Sequence, residues 1–278
     1  MAYVNSDEML RRARTGGYAV GAFNAENMET VQAIVEAAEM MGTPVIVQTT
    51  PGSIRYAGIE QFSAMVRAAA NKAKVDVCLH LDHGDSLQLC GDCIQVGYSS
   101  VMFDGSRLSF EDNIRLTAQA VAMAHGAGVT VEAELGALGG KEDDLVGEGS
   151  CYTDPGDAAE FVRRTCVDSL AIAVGTAHGV YKTTPVLDLE RISAIAAVTD
   201  VPLVLHGSSG LTDECVKECV KRGISKVNFA TELRIAFTNA VKTCMMDNNS
   251  IIDPKKFLAP AREAVREQVM KRIAILNT

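Results

Sequence analysis

Positive charge is what this 278-residue chain lacks most: 26 lysines and arginines face 35 aspartates and glutamates, for a net charge of −9. No basic field can spread over such a surface, which excludes nucleic acid as the main partner. The acids are scattered along the chain, so there is no acidic tail either. No apolar run reaches transmembrane length, and no membrane partner is expected. The opening residues, MAYVNSDEML, lack the form of a signal peptide, so a soluble, cytoplasmic protein is expected. No G-x-G-x-x-G follows the first strand-like run, which weakens a dinucleotide fold. The eight cysteines sit in apolar or helical contexts and read as reduced thiols. Cys90 and Cys93 have C-x-x-C spacing, and Cys215 and Cys219 lie one helical turn apart. Both pairs read as helix packing ahead of zinc or redox chemistry.

What the chain does have is alternation. Short apolar runs recur at 18–23, 44–49, 75–81, 100–104, 129–135, 169–174, 202–206 and 226–230. They are too short for most helices and rich in Val, Ile and Leu, as strands buried on both faces should be. The segments between them carry helical spacing, for example Val31, Ile34, Val35 and Ala38 on one face. Ser109 is placed to cap a helix, with Asp112 three residues on. Alternating strand and helix means an α/β fold with a parallel sheet. Eight such units in roughly 250 residues suit a closed (β/α)8 TIM barrel, one domain over 1–278. An open doubly wound sheet is the alternative, since spacing cannot count closure. The end of the chain reads as an extra C-terminal helix with Val265, Val269 and Ile273 on one stripe, able to cover the barrel or meet a second subunit.

Histidine is scarce, five in all, yet two lie in the ten residues VCLHLDHGDS. In a barrel of this type the site is built at the C-terminal ends of the strands. There the chain places Asn24 after strand one, Asp82 and His83 after strand three, and Glu132 and Glu134 on strand five. His178 follows strand six, His206 ends strand seven, and Asn228 and Thr231 lie at the end of strand eight. Three imidazoles with one open position are a frequent catalytic zinc site, so His83, His178 and His206 are the expected ligands. Any one of them alone would read as a core or loop histidine. His80, one strand period before Asp82, is expected in the same interior as support. His125, near a helix C-terminus, is assigned no function.

Two loops could hold an anion through backbone N–H groups: Gly207, Ser208 and Ser209 after strand seven, and Asn228, Ala230 and Thr231 after strand eight. Tight turns need small residues anyway, but these are the usual phosphate loops of such barrels. The glycine- and acid-rich segment 136–150 reads as a mobile lid or a solvated loop.

The motifs HLDHG, VEAELGALGGKEDD, AVGTAHGVY, PLVLHGSSG and KVNFATELR resemble the metal-dependent class II fructose-bisphosphate/tagatose-bisphosphate aldolases, in family order and over nearly the whole chain. The resemblance implies a zinc barrel, a homodimer or homotetramer, that reversibly cleaves a ketose bisphosphate to dihydroxyacetone phosphate and an aldehyde. It implies Asp82 as the group that moves the C4 hydroxyl proton, and His83, His178 and His206 as zinc ligands. Glu134 falls near the metal as an alternative ligand, and Glu142 matches a loop acid that moves the C3 proton. Gly179, Gly207, Ser208, Ser209, Asn228, Phe229, Ala230 and Thr231 match the sugar-phosphate site, beside which the family holds a monovalent cation, Na+ or K+. Ala230 is similar to the tagatose-type motif, which tilts the expected substrate toward tagatose 1,6-bisphosphate. For the second phosphate Arg55, Arg262 and Arg266 are candidates. The rival readings are an aldolase for another phosphorylated ketose, a zinc hydrolase on the same barrel, and a non-catalytic sugar-phosphate-binding subunit. The last should have lost Asp82 or the histidines, and this chain keeps them.

Overall fold

The computed structural model describes residues 3–136, 152–179, 181 and 185–277, and the backbone of 139–142 and 145–147. The first half runs α1 (Asp7–Gly16), β1 (Val20–Asn24), α2 (Met28–Met41), β2 (Val45–Thr49), α3 (Pro51–Ala57), α4 (Ile59–Ala70), β3 (Val77–Gly84), α5 (Leu87–Val96), β4 (Ser100–Phe103), α6 (Phe110–His125) and β5 (Thr130–Leu135). Two short strands follow, β6 (Gly139–Glu142) and β7 (Leu145–Gly147). Then come α7 (Pro155–Thr165), β8 (Ser169–Ile172), β9 (Ala177–His178), α8 (Leu189–Val198), β10 (Leu203–Leu205), α9 (Asp213–Lys221), β11 (Ile224–Phe229), α10 (Thr231–Asp247) and α11 (Lys255–Leu276).

Strands β1, β11, β10, β8, β5, β4, β3 and β2 close in that order into a parallel barrel, which excludes the open sheet. They are the eight apolar runs of the sequence. The two-residue strand period sorts their side chains. On β3, Leu79 and Leu81 join the layer between sheet and helices, while Cys78 joins a separate cluster inside the barrel. His80 and Asp82 continue the inner row, both almost fully buried.

Helix α1 has no counterpart in the expected elements. Its Met9, Leu10 and Ala13 pack on Val20, Ala22, Ile46 and Cys78, so an amphipathic helix plugs the bottom of the barrel. Ser6, just before it, lies 2.7 Å from Thr130 Oγ1, where a polar column begins. Ser100 Oγ is 3.4 Å from Ser6 Oγ and 2.8 Å from His80 Nδ1.

Local capping agrees with the sequence. Ser109 Oγ accepts from Asp112 N, and Thr212 caps α9 through Cys215 N. Helix α11 covers the barrel: it packs on α2 and α10 and buries Val265, Val269 and Ile273. The segment expected as a long loop contains a β6–β7 hairpin, and β6 pairs in parallel with β9. The rest of 137–151, and the side chain of Glu142, lie outside the described residues.

Cys90 and Cys93 are fully buried, and burial raises the Cys90 thiol to about 12. A thiol held that far from ionising is neither a ready nucleophile nor a ready ligand. No cysteine belongs to a metal-compatible cluster among the described residues.

Candidate active site

Asp82 is the best-held polar group at the mouth. It is 1% exposed, and both carboxylate oxygens accept from amides. Asn24 Nδ2 and Gln48 Nε2 donate to Oδ2 at 2.9 and 3.0 Å, and Asn228 Nδ2 donates to Oδ1 at 3.1 Å. Gln48 Nε2 also donates to Asn24 Oδ1 at 2.7 Å, which ties β1 to β2. Three neighbouring strands, β1, β2 and β11, thus fix the carboxylate of β3, each through a side chain near its C-terminal end.

Next to it the chain leaves regular strand geometry. His83 has φ 51, and the β3–β4 register shifts between Leu81 and Gly84. A bulge of this kind re-aims a side chain at the rim of a barrel. Gly84 permits it, because a Cβ there would sit 2.4 Å from the Met102 carbonyl oxygen of β4. His83 Nδ1 pairs with Asp104 Oδ2 at 2.8 Å, and Nε2 lies 3.9 Å from Asp82 Oδ1.

The three expected histidines converge. The His83 ring centroid lies 5.0 Å from that of His178 and 4.7 Å from that of His206. One nitrogen of each falls within 4.8 Å of the others, close enough to share one ion. His178 stands on β9, beyond the end of barrel strand β8, and half-buried. His83, Asp104 and Glu134 form a second, overlapping group within the same limit. The three imidazoles fit a metal by the chemistry of their surroundings. Asp104 pairs with one nitrogen of His83, and Glu132 and Glu134 each face one nitrogen of His206, so a bound metal would take the place of one of those two and leave the other to orient the ring.

His206 is held from both sides: Nδ1 is 3.0 Å from Glu134 Oε2, and Nε2 is 2.9 Å from Glu132 Oε1. Burial would lower its pKa, but these two bonds outweigh burial and raise it to about 9. Below it Lys226 Nζ, 1% exposed, donates to Glu132 Oε2 at 2.8 Å. Burial would raise the Glu132 pKa, yet Lys226 and then His206 hold it well below the usual range. Burial and the nearby Lys226 push His80 down, so a neutral imidazole is expected there. Asp104 is likewise lowered, its bond to His83 overcoming burial.

The rest of the mouth is a cleft that opens beside Asp82 and His178. Asn24, Asp82, His178 and Gly179 line it. Gly207, Ser208, Ser209, Asn228, Ala230, Thr231 and Arg234 complete the lining. The two expected anion loops are joined: Ala230 N donates to Ser209 Oγ at 3.2 Å. Gly207 has φ 64, and a Cβ there would come within 2.6 Å of the Ala177 carbonyl oxygen, so only glycine suits this turn.

One expectation needs correction, and the candidate arginines can be placed. Phe229 does not line the cleft: the strand period turns it outward, where it stacks on Phe23 at 5.5 Å. Arg262 and Arg266 lie on α11 facing α2, near Gln32 and Glu36. Arg234 is the arginine of the cleft, and its Nε donates to Glu26 Oε1 at 2.5 Å. Sequence reasoning also passed over Gln48, Asp104 and Lys226. Gln48 and Asp104 could have been found by the rule that singled out Asp82, since each closes an apolar run.

Fold and mouth together define an α/β-barrel enzyme. The family model for "Fructose-bisphosphate aldolase class-II" matches residues 4–278. A fructose-bisphosphate aldolase from Geobacillus stearothermophilus is 43% identical over 276 residues, 98% of this chain and 96% of that protein. Among solved structures, the YdjI aldolase of Escherichia coli is 36% identical, with TM-score 0.87 over 99% of this chain and 97% of that one. A fructose-bisphosphate aldolase from Campylobacter jejuni, 24% identical, shares the fold, with TM-score 0.83 over 99% of this chain and 96% of that one. The chain belongs to the class-II fructose-bisphosphate aldolase family. It is therefore a lyase that acts on sugar phosphates, in a family that is typically metal-dependent. Among the described residues no helix is long and apolar enough to cross a membrane.

Proposed function

We propose that the chain reversibly cleaves a ketose 1,6-bisphosphate, fructose or its C4 epimer tagatose, to dihydroxyacetone phosphate and glyceraldehyde 3-phosphate, with zinc at His83, His178 and His206. The carrying observation is that one cleft juxtaposes a clamped carboxylate, three convergent imidazoles and two anion loops. Zinc, when bound, supplies a Lewis acid where negative charge develops on the three-carbon fragment. Asp82 takes the C4 hydroxyl proton as the C3–C4 bond breaks, C4 becomes the aldehyde carbon, and the electron pair stays with C3. Glu142 then delivers a proton to C3; in the synthetic direction both transfers reverse. Gly179, the loop Gly207–Ser209 and Asn228–Thr231 hold the phosphate of the three-carbon fragment through backbone N–H groups, so the bond is aligned for cleavage. Arg234, which lines the cleft, joins Arg55, Arg262 and Arg266 as a candidate for the second phosphate. Glu134 is an alternative metal ligand.

The family further supports a Na+ or K+ ion beside the phosphate loops, a homodimer or homotetramer, a cytoplasmic setting and one aldolase domain over the chain. Exposed Ile235, Met245, Met246 and Ile252, on and after α10, are in keeping with a subunit contact. The identified relative favours fructose bisphosphate. Ala230, through its likeness to the tagatose-type motif, favours tagatose. Coupled release of dihydroxyacetone phosphate from both sugars, side by side, names the epimer by the ratio of rates. No release from either would reject the proposal and move the search to another phosphorylated ketose.

A further inference from the structure

Arg272 lies near the end of α11 and is 9% exposed. Its Nε and Nη2 donate to the two oxygens of Glu232 at 2.7 and 2.6 Å, and its Nη1 donates to Asp213 Oδ1 at 2.9 Å. Glu232 is in the first turn of α10, and Asp213 opens α9. These are the two helices that follow the anion loops of the cleft. The guanidinium carbon also lies 5.3 Å from the centroid of the Phe229 ring, between cleft residues Asn228 and Ala230. The loops are thus joined twice: by the Ala230–Ser209 bond in the cleft, and by Arg272 through the first turns of both helices.

A two-point fork on one carboxylate fixes orientation as well as distance. Charge matters too. Glu232 and Asp213 sit at helix N-termini, where a phosphate would be drawn, and left unpaired they would repel it. The ion pairs outweigh burial and raise the Arg272 pKa, so it stays charged in this role.

We infer that Arg272 is a positioning residue for the phosphate end of the cleft: it locks the first turns of α9 and α10 in the spacing that lets both loops grip one phosphate, and it neutralises the two acids beside them. The inference rests on the proposal that this cleft binds a phosphate. The test uses inorganic phosphate as the probe, titrated by calorimetry into full-length, metal-loaded protein. Arg272→Met is expected to weaken phosphate binding at least about tenfold, and Arg272→Lys, which keeps the charge but not the fork, about threefold. The KM for ketose bisphosphate rises in step, while kcat and metal content change little. A general loss of structure would instead lower kcat and metal content as well, with no rescue by lysine, and would overturn the inference. Wild-type phosphate affinity in folded Arg272→Met overturns it too, as does wild-type affinity in Arg272→Lys should the methionine variant not fold. Thr231→Val separates the two levels. If wild type binds no phosphate, or if Thr231→Val leaves binding unchanged, the reading of the cleft fails and takes the inference with it.

Discussion

Asp82→Asn is expected to fold, keep its metal and cleave ketose bisphosphate about a thousandfold more slowly, the middle of the 10²–10⁴ range for a positioned acid–base group. The surroundings explain why it folds. Three amides donate to the Asp82 carboxylate, so an asparagine must turn its NH₂ toward one of them. Asn228 can accept it, because its Oδ1 is buried without a partner and its amide can flip to present that oxygen. The shape of the site is then kept and only the proton acceptor is lost. Turnover at saturating substrate, with metal content by atomic absorption, checks this. Activity within tenfold of wild type would remove Asp82 from the proton transfer.

The second large effect is on stability. Lys226→Met leaves Glu132 buried without its cation, and breaking a buried pair in this way costs about 3–5 kcal/mol. His206 also bonds Glu132 and offsets part of the loss, which places the expectation at the lower end. Converting Glu132 to glutamine in the same protein should recover most of it, since the uncompensated charge is gone. Urea unfolding of the two single variants and the double variant measures the coupling. A cost below about 1 kcal/mol for Lys226→Met would mean that the pair does not hold the barrel interior together.

Lys226 also shows where the sequence stops being legible. A lysine opening a strand reads as a solvated edge, because charged side chains are seldom buried. Only the pairing of β11 with β1, Val20 opposite Lys226, turns it inward to Glu132. The strands themselves were legible because runs buried on both faces stand out from their flanks, and position at strand ends then picked out Asp82, the three histidines and the glycine loops. Phe229 went wrong through reading NFAT as one unit when the strand period separates its neighbours. Helix α1 was missed because its burial depends on the barrel bottom that it plugs. The β6–β7 hairpin was missed because glycine disfavours strands and its partner, β9, lies about 35 residues on. The arginines could not be ranked, since what each one meets is set by helix packing and not by neighbours in sequence.

The central claim is that His83, His178 and His206 hold the metal on which carbon–carbon cleavage depends. The most direct test is zinc content and dihydroxyacetone phosphate release, measured with and without chelator, on wild type and on His206→Ala. Wild type is expected to carry zinc, to lose release on chelation and to regain it when zinc is restored, while His206→Ala purifies without the metal. Equal zinc in the two proteins, or release that survives the chelator, would contradict it.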